Sequence, residues 1–178
     1  MDNNSINDDK FFKESYHRKH WEIFYNYFKS KDYKILDFGC GAGWGIKIGR
    51  EKGYDIFGLD TIAIHPKRHN QFDKFRKSLR IHKYVKLYNG FESLPFKDDL
   101  FSLIVCRASF NKFRNTDSKT NEKELALERL NEFSRILTGP RIVVITGKYF
   151  KNEFKQFDFQ VYNWDKKEIK QLWSHSGS

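Results

Sequence analysis

The stretch ILDFGCGAGWG at residues 35–45 constrains this chain more than any other feature of its sequence. It begins as an apolar run interrupted by one aspartate, Asp37, and continues with glycine at every second position, so that four of the 11 glycines fall within seven residues. Glycine is needed where the backbone adopts a positive φ or where another group must approach it closely. We therefore expect a tight loop after a buried strand, with a ligand held against its backbone.

Strand-like and helix-like segments alternate along the rest of the chain. Strands are predicted at 33–39, 54–60, 83–90, 101–109 and 140–148, and helices at 10–30, 44–53, 67–81 and 121–139. This alternation predicts an α/β fold with a mostly parallel sheet of about five strands and helices on both faces. Ligands of such sheets bind beyond the carboxyl ends of the strands, where the glycine loop lies. We expect residues 1–9 to be disordered and residues 10–178 to form one domain.

Composition narrows the class of protein. No apolar run approaches the roughly 20 residues that span a bilayer, so no membrane segment is expected. The polar, acidic start MDNNSINDDK is unlike a secretory signal. The two cysteines, Cys40 and Cys106, are too few for a disulfide framework and lack the spacing of metal ligands, so we expect a cytoplasmic protein without a metal site.

Positive charge is concentrated in one part of the chain. The formal net charge is +10, and residues 61–86 carry eight Lys or Arg against one Asp. Two interpretations of this basic segment remain open. It is either an ordinary solvated helix or an electropositive face for a phosphate-bearing partner such as RNA.

The glycine loop excludes two common phosphate-binding motifs. In G-x-G-x-x-G the sixth place must be glycine, but Trp44 stands there when counting from Gly39, and Ile46 when counting from Gly41. No Lys-Ser/Thr pair follows, so the loop is not a P-loop. What remains is D-x-G-x-G-x-G, followed 23 residues after Asp37 by Asp60 at the end of the second predicted strand.

This pattern resembles motif I and its acidic partner in the class I S-adenosylmethionine-dependent methyltransferases, which have a Rossmann-like fold. The ammonium and carboxylate of that cofactor need an acceptor and N–H donors, and one carboxylate can accept both ribose hydroxyls. The resemblance runs from about residue 33 to about residue 176. It includes NGFESLPFKDDLFSLIVCRASF (89–110), LNEFSRILTGPRIVVIT (130–146) and FQVYNWDKKEIKQLWSHSG (159–177).

The resemblance implies S-adenosylmethionine as cofactor and S-adenosylhomocysteine as product. Gly90 stands where relatives usually place the acid that accepts from adenine, so the backbone around it would replace that contact. The cofactor-binding residues implied are Asp37, Phe38, Gly39, Cys40, Gly41, Gly43, Trp44, Asp60, Thr61, Gly90, Phe91, Glu92, Cys106 and Arg107.

Candidate groups for the methyl acceptor lie in the first helix and after the fourth strand. Methyl transfer is an in-line displacement, so the main task is alignment, and a general base is needed only where the acceptor holds its proton. The catalytic candidates are His17, Ser109 and Asn111, and the substrate-facing candidates are Tyr16, Trp21 and Arg107. Three functions remain open: a methyltransferase for a small molecule or glycan, an RNA methyltransferase using the basic segment, and a catalytically inactive cofactor-binding partner subunit.

The end of the chain departs from the resemblance. Relatives continue into two final strands of a seven-stranded sheet, whereas this chain stops at Ser178. We expect those strands to be missing or truncated. The fifth strand would then lie near an exposed edge, which predicts a homodimer or a partner covering it.

Overall fold

The computed structural model describes residues 12–61, 66–89, 93–107, 109–110, 122–146, 151–165 and 167–174. The predicted disordered segment 1–9 lies outside them. The helices are α1 Glu14–Tyr27, α2 Trp44–Glu51, α3 Pro66–Ser78, α4 Glu122–Ile136 and α5 Lys151–Phe154, with a 3₁₀ turn at His82–Tyr84. The strands are β1 Lys34–Phe38, β2 Asp55–Thr61, β3 Val85–Tyr88, β4 Phe101–Cys106, β5 Leu137–Ile145, β6 Gln160–Trp164 and β7 Ile169–Trp173.

The strands form one seven-stranded sheet in the order β3-β2-β1-β4-β5-β6-β7. Neighbouring strands are parallel, except that β7 runs antiparallel to β6 at the edge. The architecture is α/β and Rossmann-like, with β1 in the interior of the sheet between β2 and β4. Its position there places the glycine loop between the ends of β2 and β4.

The prediction of about five strands, with the C-terminal strands missing, is wrong. The segment 159–177 contains both of them, because β6 pairs with β5 over residues 142–145 and β7 folds back on β6. Polar and charged residues interrupt both strands, so neither has the apolar run that marks β1 or β4. The fifth strand is therefore an interior strand. The prediction of a partner covering it assumed an exposed edge, and β5 has no such edge.

The core lies on both faces of the sheet. On one face α1 packs through Trp21, Phe24 and Tyr25 beside α2, and these side chains are at most 3% exposed. On the other face α4 packs through Leu130 and Phe133, and both are fully buried. The aromatic spacing in α1 therefore follows its buried face.

Two separated sequence segments meet at the N-terminal end of β4. The Glu132 carboxylate accepts the Leu94 N–H at 2.7 Å, and the Arg135 guanidinium donates to the carbonyls of Leu94 and Phe96 at 3.0 and 2.8 Å. Arg135 also forms an ion pair with Glu132. The helix thus clamps the Leu94–Phe96 turn that leads into β4.

No helix in the part of the chain that the structure describes is both long enough and apolar enough to cross a membrane.

Candidate functional site

The glycine loop is locked against the end of β2. Gly39, Gly41 and Gly43 all have positive φ, between 52° and 85°. The backbone N–H groups of Gly39 and Cys40 both donate to the Leu59 carbonyl, at 2.8 and 3.0 Å. Gly43 then starts α2 in the left-handed conformation, so the loop turns sharply from strand to helix. The first backbone N–H groups of α2, which lack helical partners, therefore follow the end of β1 directly.

Gly45 serves a different purpose from the three glycines before it. It lies inside α2, and a Cβ at this position would overlap the indole of Trp21, within 2.6 Å of Cε2. The alternation of four glycines therefore combines two needs. Three of them shape the loop, and the fourth lets α1 pack against α2.

Asp37 is a buried acid with an unused acceptor. It lies in β1, is 2% exposed, and its Oδ2 has no hydrogen-bond partner among the described residues. Burial raises the pKa of Asp37 to about 7, and the nearby Arg107 guanidinium opposes that shift. A buried carboxylate oxygen without a donor is costly unless a ligand supplies one.

Arg107 joins α1 to the end of β4. Burial lowers the pKa of its guanidinium, while the charge of Asp37 and the phenol of Tyr16 oppose that shift. Its Nη1 lies 3.4 Å from Nδ1 of His17, and its guanidinium lies 5.7 Å from the ring of Trp164. The structure therefore brings Tyr16, His17 and Arg107 together.

The His17 ring also reaches the start of α2, where it stacks with Trp44 at a centroid distance of 6.0 Å. Tyr16, the residue before His17, is 45% exposed. Aromatic rings and one guanidinium thus form a cluster here, and this cluster reaches the surface at Tyr16.

Asp60 lies near the end of β2, and both of its carboxylate oxygens are engaged. Oδ1 accepts the N–H of Thr61 at 3.0 Å, and Oδ2 pairs with the guanidinium of Arg76. Arg76 is only 1% exposed and also donates to the carbonyl of Gly41, with Nε at 2.8 Å. In the sequence Arg76 is one of the cations of the basic segment, and no local pattern indicates that it is buried.

Other predicted site residues have structural contacts instead. Trp21 is 3% exposed and belongs to the core, which corrects its expected place facing substrate. The hydroxyl of Ser109 is buried and donates to the Phe38 carbonyl. Phe38 and Cys106 are fully buried, and Cys40 and Thr61 are buried with 9% and 7% exposure. Asn111, Gly90, Phe91 and Glu92 lie outside the described residues.

No group of three or more His, Cys, Asp or Glu side chains that could hold a metal ion occurs among the residues the structure describes.

Comparison with known proteins identifies the family. The family model described as methyltransferase domain matches residues 13–132, which is well over half of the chain. No curated protein matches the sequence significantly.

Two solved structures share the fold. The YcgJ protein from Bacillus subtilis is 18% identical with a TM-score of 0.50, and the match covers 83% of this chain and 50% of that one. The PH0226 protein from Pyrococcus horikoshii OT3 is 18% identical with a TM-score of 0.51, and the match covers 85% and 60%. The chain thus spans between half and two thirds of the length of these structures. The family match confirms the prediction made from the glycine loop and Asp60: this chain belongs to the methyltransferase domain family.

Proposed function

We propose that this protein transfers the methyl group of S-adenosylmethionine to a small-molecule or glycan acceptor. The observation that carries the proposal is the buried, unpartnered Oδ2 of Asp37 beside the Arg107 guanidinium. The bound cofactor would supply a methyl group on a sulfonium, already activated for in-line displacement. The protein's own task is then to hold the two reactants in line.

The residues present suit the amino-acid end of that cofactor. The carboxylate of Asp37 offers an acceptor for the ammonium, and the guanidinium of Arg107 offers donors for the carboxylate. Both side chains are largely buried. Pairing each of them with the opposite charge of the cofactor therefore favours binding. Asp60, with 15% of its side chain exposed, offers acceptors for the ribose hydroxyls.

The contact with Arg107 disfavours His17 as a general base. The guanidinium of Arg107 can only donate, so the contact with Nδ1 of His17 uses a lone pair there. A neutral imidazole has one nitrogen with a lone pair, so this contact leaves no basic nitrogen for the acceptor molecule. An acceptor whose nucleophilic atom is already deprotonated at neutral pH would suit such a site.

The exposed charge of the basic segment favours a second candidate, an RNA methyltransferase. Five cations between the middle of α3 and the start of β3 are exposed: Lys74, Lys77, Arg80, Lys83 and Lys86. This surface is smaller than the sequence suggests, because Arg76 is buried and Lys77 pairs with Asp73. If RNA is the acceptor, its binding must weaken steeply as salt rises, because phosphate contacts release counterions.

Calorimetry tests the cofactor site. We expect the wild-type protein to bind S-adenosylhomocysteine, and we expect the Arg107→Met variant to bind it about 10- to 100-fold more weakly, because a charge-assisted contact is lost. Methylthioadenosine, which lacks the amino-acid end, serves as the matched ligand, and its affinity should be the same for both proteins. An equal loss for both ligands would contradict the assignment of Arg107 to the carboxylate.

Transfer of a labelled methyl group tests the acceptor class. S-adenosylmethionine labelled in its methyl group is incubated with the protein and either a small-molecule extract or purified total RNA. We expect label in the small-molecule fraction. Label in RNA supports the second candidate instead, and cofactor binding without transfer to either fraction supports an inactive partner subunit.

A further inference from the structure

Arg76 is a charged side chain enclosed by the protein. It is 1% exposed, although it lies in the last turn of α3 among exposed lysines. Its guanidinium contacts two groups, the Asp60 carboxylate and the Gly41 carbonyl, to which Nε donates at 2.8 Å. One side chain therefore ties the acid of β2 to the middle of the glycine loop.

The end of α3 packs directly on that loop. A Cβ at Gly43 would lie 2.5 Å from Cδ1 of Ile81 and 3.6 Å from Cγ of Arg76, and a Cβ at Gly41 would lie 3.9 Å from the ring of Phe72. The backbone of Ile81 is held in place by a hydrogen bond to the Arg76 carbonyl at 3.0 Å. The Arg76 stem therefore lies beside Gly43, and its guanidinium lies beside Gly41.

We propose that Arg76 is a positioning residue that holds the Asp60 carboxylate and the Gly41 peptide in the orientation that receives the ribose hydroxyls of the cofactor. This inference rests on the proposed function. Arg76 itself is too enclosed to meet a ligand, whereas the Asp60 side chain remains 15% exposed and can. Arginine suits the task because its planar fork binds a carboxylate and a carbonyl at once, which an ammonium does with less geometric control.

The test compares two ligands that differ only in the ribose hydroxyls, S-adenosylhomocysteine and its 2′,3′-dideoxy analogue. We expect Arg76→Met to weaken S-adenosylhomocysteine binding by about 30- to 100-fold and Arg76→Lys by about tenfold, since a charge-assisted network is lost or loosened. The analogue should lose less than about threefold in either variant, because it makes no contact with Asp60. In an Asp60→Asn background, Arg76→Met should add less than about threefold for S-adenosylhomocysteine.

Arg50 offers a matched control at the other end of β2. Its Nε donates to the Ile56 carbonyl at 3.0 Å, and its Nη2 lies 2.8 Å from Oδ1 of Asp55, so it also joins a carbonyl to a carboxylate. Arg50→Met should leave the affinity for both ligands unchanged. Cooperative thermal unfolding of each variant shows that it is folded, and Arg76→Lys carries the test if Arg76→Met does not fold.

Three results would overturn this inference alone while leaving the proposed function standing. These are unchanged S-adenosylhomocysteine affinity in the Arg76 variants, equal losses for both ligands, and tighter binding, which would mean that Arg76 blocks the site. A wild-type protein that binds neither ligand would overturn the proposed function and this inference with it.

Discussion

The indole of Trp21 in α1 lies directly against the backbone of Gly45 in α2, with no room for a side chain between them. This contact couples the helix that carries Tyr16 and His17 to the helix that begins at the glycine loop. Core packing therefore fixes the position of Tyr16 and His17 relative to the glycine loop.

Gly45→Ala should lower the free energy of unfolding by about 2 to 3 kcal/mol, because the new methyl group must displace a buried ring. Urea denaturation followed by far-UV circular dichroism measures this loss. In a Trp21→Leu background the same substitution should cost less than about 1 kcal/mol, since the obstructing ring is gone. An equal cost in both backgrounds would show that the strain does not come from the indole.

Asp37 should make the ligand-free protein less stable as pH rises. Its pKa in the folded state is raised to about 7, so from the ordinary value of 3.8 up to about 7 the folded protein holds a proton that the unfolded chain has lost. Stability falls wherever the folded state binds more protons, and this group should remove on the order of 2 to 4 kcal/mol across that range. Asp37→Asn lacks the titration. Urea denaturation at several pH values should therefore show a flatter pH dependence for the variant than for the wild type.

The same titration predicts how binding responds to pH. Because an ammonium favours the ionised carboxylate, the wild-type affinity for S-adenosylhomocysteine should rise from about pH 6 to about pH 8. The Asn variant should bind more weakly and without that rise, which calorimetry at each pH measures. A wild-type affinity that falls over this range would remove Asp37 from the ammonium site.

Ser109→Ala should affect stability and not chemistry. The buried hydroxyl donates to the Phe38 carbonyl, so its removal should cost about 1 kcal/mol of unfolding free energy. Ser102 provides the matched control, because its hydroxyl also bonds to the backbone of β1, accepting the Lys34 N–H at 3.0 Å. Both alanine variants should keep methyl transfer within about threefold of wild type once the acceptor is known. A far larger loss of turnover in Ser109→Ala alone would restore Ser109 as a catalytic residue.

Local patterns in the sequence were enough to predict the glycine loop at the end of β1. Asp37 and Asp60 belong to strands that pair in parallel, with Asp37 opposite Gly58, so the ends of both strands were expected at one edge. The family follows from the same residues. The glycine spacing predicted a tight loop. It does not distinguish Gly45, which packs against Trp21, from the three glycines that shape the loop.

Long-range contacts could not be predicted in the same way. The strands β6 and β7 lack a continuous apolar run, and pairing with β5 and with each other holds them in the sheet. Arg76 looks like its neighbouring cations in the sequence, and its burial depends on an acid 16 residues earlier and on a loop carbonyl 35 residues earlier. Such partners are chosen by the tertiary fold, which no local periodicity encodes.

The clamp between α4 and the turn before β4 gives a prediction with the opposite pH dependence. Hydrogen bonds from Arg135 and from the Leu94 N–H hold the pKa of Glu132 below its ordinary value of 4.5. An acid with a lowered pKa contributes stability above its unfolded pKa and loses it as pH falls through the folded one. Glu132→Gln should therefore cost about 1 kcal/mol at neutral pH, and the difference from wild type should shrink below about pH 4. Urea denaturation at both pH values measures it, with the exposed Glu168 as control because its pairing with Lys170 lies at the surface. A cost for Glu132→Gln that is independent of pH would mean that the shape of the side chain, and not its charge, holds the turn.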